Sequence, residues 1–333
     1  AELPQLVRAN LVTEAARRNT AAAVGYAAVE VRRRRGPGAV LAVLPTDHHV
    51  AGAEAFDAAA RRAAALAAEG YIVTIGVAPT RPETGFGWLE IGAPIASGPV
   101  SGSASGPAYG PASGPASGSR PGGARDAAGG PAGTAEPPAA FELARFVEKP
   151  ARARAEEFLA DPAGRFLWNG GMFFFRADRI LAEIARQMPA LASALDAIAA
   201  DPSAAAARYL GLPADLPSID YGVMEHAARL ACVAAPPALG WSDVGSWAAL
   251  RELLPPDAHG NVVHAPAQAR VVAVDARNNL VHAPVRLVAL LGVEGLSVVY
   301  EDGVLLVCPL DQSQRVRELV ARVRADEELK EVL

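Results

Sequence analysis

Short apolar runs alternate with segments of helical period through the first two thirds of the chain, and turn residues mark most of the changes. Residues 39–44 are a continuous apolar run between Gly38 and Pro45. Such a run predicts a buried strand of a parallel sheet. Ahead of it, an alanine-rich segment from Thr13-Glu14 to about Arg35 predicts a helix, and the arginines at 32–35 stand at the end where cations suit the helix dipole. Behind it a helix is expected at 53–69 and a strand at 71–77. This strand–loop–helix–strand order is that of an α/β sheet with crossover helices, in which ligands bind beyond the carboxyl ends of the strands. Residues 84–90 predict a turn and a short strand, 146–150 a strand end, 151–159 a helix and 168–175 a strand. Helices follow at 178–187 and 190–200, another opens at Pro217 and runs to about Arg229, and 231–235 reads as a strand.

Two stretches break this texture. Residues 97–138 are Gly, Pro, Ser and Ala with hardly an apolar side chain. They cannot bury enough surface to offset their ordering entropy, so the expectation is a disordered insertion. After Pro255-Pro256, short β-rich runs at 261–264, 270–275, 280–282, 286–291, 296–300 and 304–308 are separated by Asn, Gly, Pro and Asp turns. A small β appendage fits them, closed by a helix at about 312–325. The expected division is an α/β body at 1–254 and a β domain at 255–333.

Composition narrows the function classes. The chain has 333 residues and is 51% hydrophobic, but much of that is alanine, so the core is larger in count than in bulk. A net charge of −5 argues against a general affinity for nucleic acid or an anionic membrane. The arginine run at 32–35 then reads as a solvated helix end. No apolar run is long enough to span a bilayer, and no signal peptide precedes the first residues. Cys232 and Cys308 form no CxxC or Cys/His cluster, which suits a reduced, cytoplasmic setting. Lysine occurs only at Lys149 and Lys330, which singles out Lys149.

Candidate chemistry gathers at strand ends and turns. In the stretch 240–247, Gly-Trp-Ser-Asp-Val-Gly-Ser-Trp, the carboxylate of Asp243 lies between two tryptophans and two glycines. Rigid apolar walls and tight turns can aim an acid at a ligand. The plainer reading is a cap on the helix that starts near Ser246. Asp47, just past the 39–44 run, could likewise cap the helix after His49, and His48 and His49 read as neighbours of a site or surface residues. Two carboxylates brought together can hold Mg²⁺, and a lysine such as Lys149 acts as a point charge on a phosphate. Glu148 and Asn169 could hydrogen-bond sugar hydroxyls. These parts suit phosphoryl or nucleotidyl transfer, where catalysis is mostly positioning and charge neutralisation.

The windows RNTAAA (18–23), LPTDHHV (44–50), RFVEKP (145–150), WNGGMF (168–173), SIDYGVME (218–225) and GWSDVGSW (240–247) resemble mannose-1-phosphate guanylyltransferases in order and spacing. The run LVALLGVEGLSVVY, with Asn261 and Asn278-Asn279, is similar to that family's short β domain. The resemblance implies a Rossmann-like α/β nucleotidyltransferase sheet and a C-terminal domain of left-handed β-helix type. It implies the joining of mannose 1-phosphate and GTP to give GDP-mannose and pyrophosphate, with Mg²⁺ as cofactor held by Asp47 and Asp243. Lys149 would meet the sugar phosphate, Glu148 and Asn169 the mannose hydroxyls, and Gly170-Gly171 the close backbone. Arg18, Asn19 and Thr20 would lie along guanine and ribose, and Asp220 joins the substrate-binding set. No nucleic-acid or membrane partner is implied, and a homo-oligomer is compatible with the pattern.

The chain also departs from the family. Ala22 replaces a proline, Thr46 an alanine and Gly170 a serine. The family's first strand and its glycine-rich phosphate loop have no counterpart in residues 1–20, so the expectation is a fragment or a chain that has lost turnover. A second reading therefore stays open, a non-catalytic regulatory protein that binds a sugar phosphate or nucleotide. A third is a nucleotidyltransferase for another base or hexose.

Overall fold

The computed structural model describes residues 11–96, 137–266 and 268–329. The expected insertion at 97–138 thus lies almost wholly outside the described residues. The chain divides into two compact units, Ala1–Pro45 with Gly52–Leu239, and Thr46–Ala51 with Gly240–Leu333. The change of texture in the sequence comes later, at Pro255-Pro256.

The first unit is built on a six-stranded sheet. Its strands are β1 (Val40–Val43), β3 (Ile72–Val77), β4 (Trp88–Pro94), β5 (Ala140–Val147), β6 (Phe166–Arg176) and β7 (Leu230–Ala234), while β2 (His49–Val50) belongs to the second unit. The sheet order is β1-β6-β3-β7-β5-β4, with β4 also reaching β6. Among the described residues only β3 and β7 are adjacent and parallel in this sheet; β6 runs antiparallel to β1, β3 and β4. The helices are α1 (Asn19–Arg35), α2 (Ala53–Ala68), α3 (Arg152–Leu159), α4 (Ala177–Gln187), α5 (Pro189–Ala200), α6 (Ala205–Leu210) and α7 (Ile219–Gly222). Alanine does here what bulk cannot. Ala21, Ala22 and Ala28 of α1 are fully buried, and a Cβ at Gly25 would meet Leu195 of α5 at 2.6 Å. Small residues thus let the helices approach closely around Phe173, Phe175, Ile180 and Ile184. At the end of α1, Glu30 accepts from Arg33 and Arg34, as befits a structured helix end.

Three expectations need correction. Residues 39–44 do not form a buried parallel strand: β1 pairs only with β6 among the described residues, and antiparallel. Val40 and Leu44 are exposed while Leu41 is buried, the pattern of a strand covered on one face. The first helix begins at Asn19, not near Thr13. Asn19 has φ +62°, a left-handed conformation that asparagine tolerates and that interrupts the helix there. The helix from Pro217 to about Arg229 shrinks to α7 and a 3₁₀ turn at Met224–His226. Val223 and its neighbour Met224 are both fully buried. Val223 leaves helical geometry at φ −137°, and the chain turns inward.

The second unit contains β2, β8 (Trp241–Ser242), α8 (Trp247–Leu253), β9 (Val262–His264), β10 (Arg270–Val274), β11 (Leu280–His282), β12 (Leu287–Leu291), β13 (Leu296–Glu301), β14 (Val304–Pro309) and α9 (Val316–Ala325). Parallel pairing of β9 with β11 and of β11 with β13, alongside β10 with β12, stacks the chain in coils. Buried asparagines hold the coil corners. Asn261 Oδ1 accepts from Asn279 Nδ2 at 3.0 Å, and Asn279 Oδ1 accepts from the Leu296 amide at 2.9 Å. Each satisfies backbone groups that a turn would otherwise leave bare. The expected β-rich runs match these strands closely.

Candidate active site

The first cluster forms where β5 ends. Past Val147 the backbone turns sharply, and Lys149 takes φ +45°, rare for a side chain other than glycine and rarer before a proline. Its amide donates to the Phe86 carbonyl at 3.2 Å, which pins the turn to the loop before β4. Glu148 is buried. Its amide donates to Glu225 Oε1 at 2.9 Å, and its Oε1 accepts from Lys149 Nζ at 2.5 Å. Its Oε2 is buried and accepts no hydrogen bond from any described residue. Gly87 makes room for that oxygen: a Cβ there would stand 2.7 Å from it and 3.1 Å from Asn169 Cβ.

Asn169, on β6, is fixed from three sides. Its Oδ1 accepts from Thr74 Oγ1 at 2.7 Å and from the Gly171 amide at 3.2 Å, and its Nδ2 donates to Asp220 Oδ1 at 3.3 Å. Gly170 packs β6 on β3, since a Cβ there would lie 2.8 Å from the Ile75 carbonyl oxygen. Gly171 has φ +68°. Burial raises the pKa of Glu148, and the charges of Asp220 and Glu225 add to that against the opposing Lys149. Burial also raises that of Asp220. For Lys149 burial works downward, but the hydrogen bond to Glu148 and the surrounding negative groups outweigh it, so its pKa is raised and the ammonium stays charged.

Arg18, Asn19 and Thr20 are tied to the segment that carries Asp220. Arg18 donates to the Leu210 carbonyl at 2.9 Å and Asn19 to the Leu216 carbonyl at 3.0 Å, while Thr20 Oγ1 accepts from the Ile219 amide at 2.8 Å. Arg18 Nε remains buried without a partner among the described residues. These residues, Asp220, Asn169, Glu148 and Lys149 are therefore one connected array in the first unit. Thr74, Gly87 and Glu225 complete it. Sequence reasoning did not single out these three, although Gly87 lies in the Thr84–Glu90 turn and Glu225 in the SIDYGVME window.

The second cluster lies in the other unit, on a ladder of two residue pairs. His49 pairs with Ser242 and Val50 with Trp241. Continuing that register brings His48 opposite Asp243 and leaves Asp47 one residue further along, so both aspartates sit at one end of the ladder. His48 Nδ1 accepts from Trp241 Nε1 at 3.1 Å. Val244 has φ +48°, a strained value for a β-branched residue, and its amide donates to Ser242 Oγ at 3.2 Å. Asp243 folds back over Gly245, where a Cβ would stand 2.4 Å from Oδ2. The capping readings do not hold. Ser246 Oγ caps α8 by accepting from the Ala249 amide, and α2 starts at Ala53 behind Gly52 without any side-chain cap. Among the described residues no group of three or more His, Cys, Asp or Glu side chains gathers around a metal position. Asp47 and Asp243 offer two hard oxygen donors without a hydrogen-bonding partner there.

Two family models match this chain. A nucleotidyl transferase model covers residues 2–101 and 131–259, and a MannoseP isomerase/GMP-like beta-helix domain model covers 269–323. The gap in the first falls within the low-complexity stretch. The chain is 35% identical to the xanthan biosynthesis protein XanB of Xanthomonas campestris pv. campestris (strain B100), over 92% of this chain and 56% of that protein. It is 34% identical to a mannose-1-phosphate guanylyltransferase of Escherichia coli (strain K12), over 95% of this chain and 58% of that protein. It thus spans little more than half the length of these curated relatives. A crystal structure from Thermus thermophilus, described as a mannose-1-phosphate geranyltransferase, superposes with a TM-score of 0.71 at 32% identity, covering 94% of this chain and 78% of that one. The array at the end of β5, the β-helix and these matches agree: the chain belongs to the mannose-1-phosphate guanylyltransferase family of nucleotidyl transferases.

Proposed function

We propose that this chain binds mannose 1-phosphate at the Glu148–Lys149–Asn169 array and carries the machinery that joins it to GTP, releasing pyrophosphate. The observation that carries the reading is Glu148 Oε2, a buried acceptor without a donor. A buried polar atom left bare costs about 1–3 kcal/mol, so it is kept where a ligand supplies the missing partner. A sugar hydroxyl is such a donor, and the adjacent Lys149 ammonium suits the phosphate of the same molecule. Asn169 is oriented by Thr74 and Asp220 and holds its amide ready for a second hydroxyl. Arg18, with its bare Nε, is the donor available for the nucleotide base, and Asn19 and Thr20 set the loop that it rests on.

Asp47 and Asp243 would hold Mg²⁺. The fit rests on their chemistry, two carboxylates at one end of a short ladder with oxygen lone pairs unengaged by described residues. The ion would neutralise charge on the phosphate oxygens. The transfer itself needs the sugar phosphate oxygen held in line with the α-phosphorus, and the residues of the array supply that positioning. No described helix is long and apolar enough to cross a membrane, and a cytoplasmic enzyme is the setting we infer.

Calorimetry with mannose 1-phosphate tests the reading directly. Lys149→Ala should weaken binding by about 1–2 kcal/mol, less than for a buried pair because the ammonium is half exposed and solvent screens it. Binding unchanged in that variant would sink the assignment. GDP-mannose synthesis from GTP with Mg²⁺, compared with ATP, UTP and CTP, tests the transfer and the base.

A further inference from the structure

A cleft of about 640 Å³ lies within the second unit, between the Val244–Leu250 segment and α9. Trp247 and Leu250 give it an apolar wall, and α9 lines it with one face on which Val320 and Ala321 lie between Arg317 and Arg324. Neither arginine makes an ion pair or hydrogen bond with any described residue. Arg315, just before α9, is paired with Glu318 at 2.8 Å, and Arg322 lines a separate groove. Helix electrostatics accounts for only one of the pair. Arg324 stands in the last turn, where a cation is favoured, but Arg317 stands in the first turn, where a cation opposes the dipole. Arg317 thus lines the cleft as an exposed cation that the helix dipole does not favour.

Spacing narrows the ligand. Seven residues along a helix place the two Cα atoms about 10 Å apart on nearly one face. A single phosphate reaches both guanidiniums only if both side chains lean fully inward, whereas an extended polyphosphate spans them without that cost. Guanidinium groups bind phosphate oxygens in a bidentate fork. The apolar wall leaves room for a body attached to the polyphosphate.

We propose that this cleft binds a polyphosphate, either inorganic pyrophosphate or the phosphate arm of a nucleotide, with Arg317 and Arg324 as its cationic ends. The lining begins at Val244, next to Asp243 of the second cluster, so the ligand is measured without a sugar phosphate and with metal chelated, which separates this site from the transfer reaction proposed above.

The test is isothermal titration of the chain with orthophosphate, pyrophosphate and GTP, in a chelator-containing buffer that silences any metal-dependent binding. Pyrophosphate is expected to bind at least tenfold more tightly than orthophosphate. The double variant Arg317→Ala/Arg324→Ala should weaken pyrophosphate binding at least tenfold, and Arg322→Ala, on the same helix, should change it less than twofold. If GTP shares the arginine-dependent component and binds more tightly than pyrophosphate, the nucleotide is the ligand; if it lacks that component, pyrophosphate is. Circular dichroism of each variant confirms that α9 is intact. Absence of pyrophosphate binding at millimolar concentration would overturn the proposal. So would an equal loss in Arg322→Ala, or full retention in the double variant.

Discussion

Glu148 and Glu183 lie in the same unit, and both are buried, at 9% and 3% exposure, yet their surroundings are opposite. Glu183, on α4, takes Arg179 at 2.7 Å, Arg186 at 2.6 Å, Gln187 at 3.0 Å and the Ala228 amide at 3.2 Å. Burial pushes its pKa up, but those donors outweigh it and the net shift is downward. Glu148 has one lysine, two acidic neighbours and one oxygen with nothing to accept from, and its net shift is upward. The first acid fastens α4 to the segment after α7. The second keeps, at a cost in stability, an oxygen for which no described residue provides a donor. Burial alone would not separate them; the count of donors does.

Exchanging these roles should be visible in measurement. Glu183→Ala strips the partner from two arginines and should cost about 3 kcal/mol, read as a lower denaturant midpoint, with mannose 1-phosphate affinity per folded molecule nearly kept. A smaller effect, about 1–3 kcal/mol, is expected for Gly87→Ala, whose new Cβ crowds Glu148 Oε2 and Asn169. Here, unlike at Glu183, ligand binding should fall with stability. Glu148→Gln is expected to leave stability at neutral pH within about 1 kcal/mol of the parent or slightly above it, because an expensive buried charge is removed. It should nevertheless lose sugar-phosphate affinity at least tenfold. A clear drop in thermal midpoint for Glu148→Gln would mean that this acid is structural after all.

The smallest effect is the most diagnostic. A carboxyl whose folded pKa is raised, as for Glu148 and Asp220, contributes stability that is present below its ordinary value and is lost as pH rises through the folded value. One whose folded pKa is lowered, as for Glu183, contributes stability present above its ordinary value and lost as pH falls through the folded value. The gain from Glu148→Gln should therefore shrink as pH falls from neutrality towards 4.5, the ordinary value for glutamate. The deficit of Glu183→Gln should hold over that range and close only below it. Denaturant titrations across pH would show the two trends running in opposite directions.

Much of this was legible in the residues. The β-helix strands fall close to where turn residues bracket them, because each coil must be punctuated by Asn, Gly or Asp. Lys149 stood out by rarity, and Asp47 and Asp243 by their windows. What was hidden is pairing. An apolar run such as 39–44 announces a strand but not its partner, and β1 turned out to lie beside the antiparallel β6. Alanines gave little warning of α6, and Ser218 opened a helix that Val223 closed after one turn. At the site, Thr74 and Glu225 act through contacts far away in sequence, 95 residues for Thr74 with Asn169 and 77 for Glu225 with Glu148. Ser246 rather than Asp243 caps α8, a choice between two good candidates that only backbone direction could make.

The two-residue ladder of β2 and β8 has a consequence for how the second unit comes into being. Its segment Thr46–Ala51 is made long before Gly240–Leu333, so the unit is discontinuous along the chain. Cutting the gene at residue 239 would yield a carboxyl fragment without its β2 and with Trp241 facing no partner strand. During synthesis, Asp47 must wait for nearly two hundred residues to emerge before Trp241 and Ser242 give it a neighbour. Such long-range closure is late and slow by loop entropy. The acid pair therefore cannot form on any chain that ends before Asp243, whatever else of the first sheet has folded.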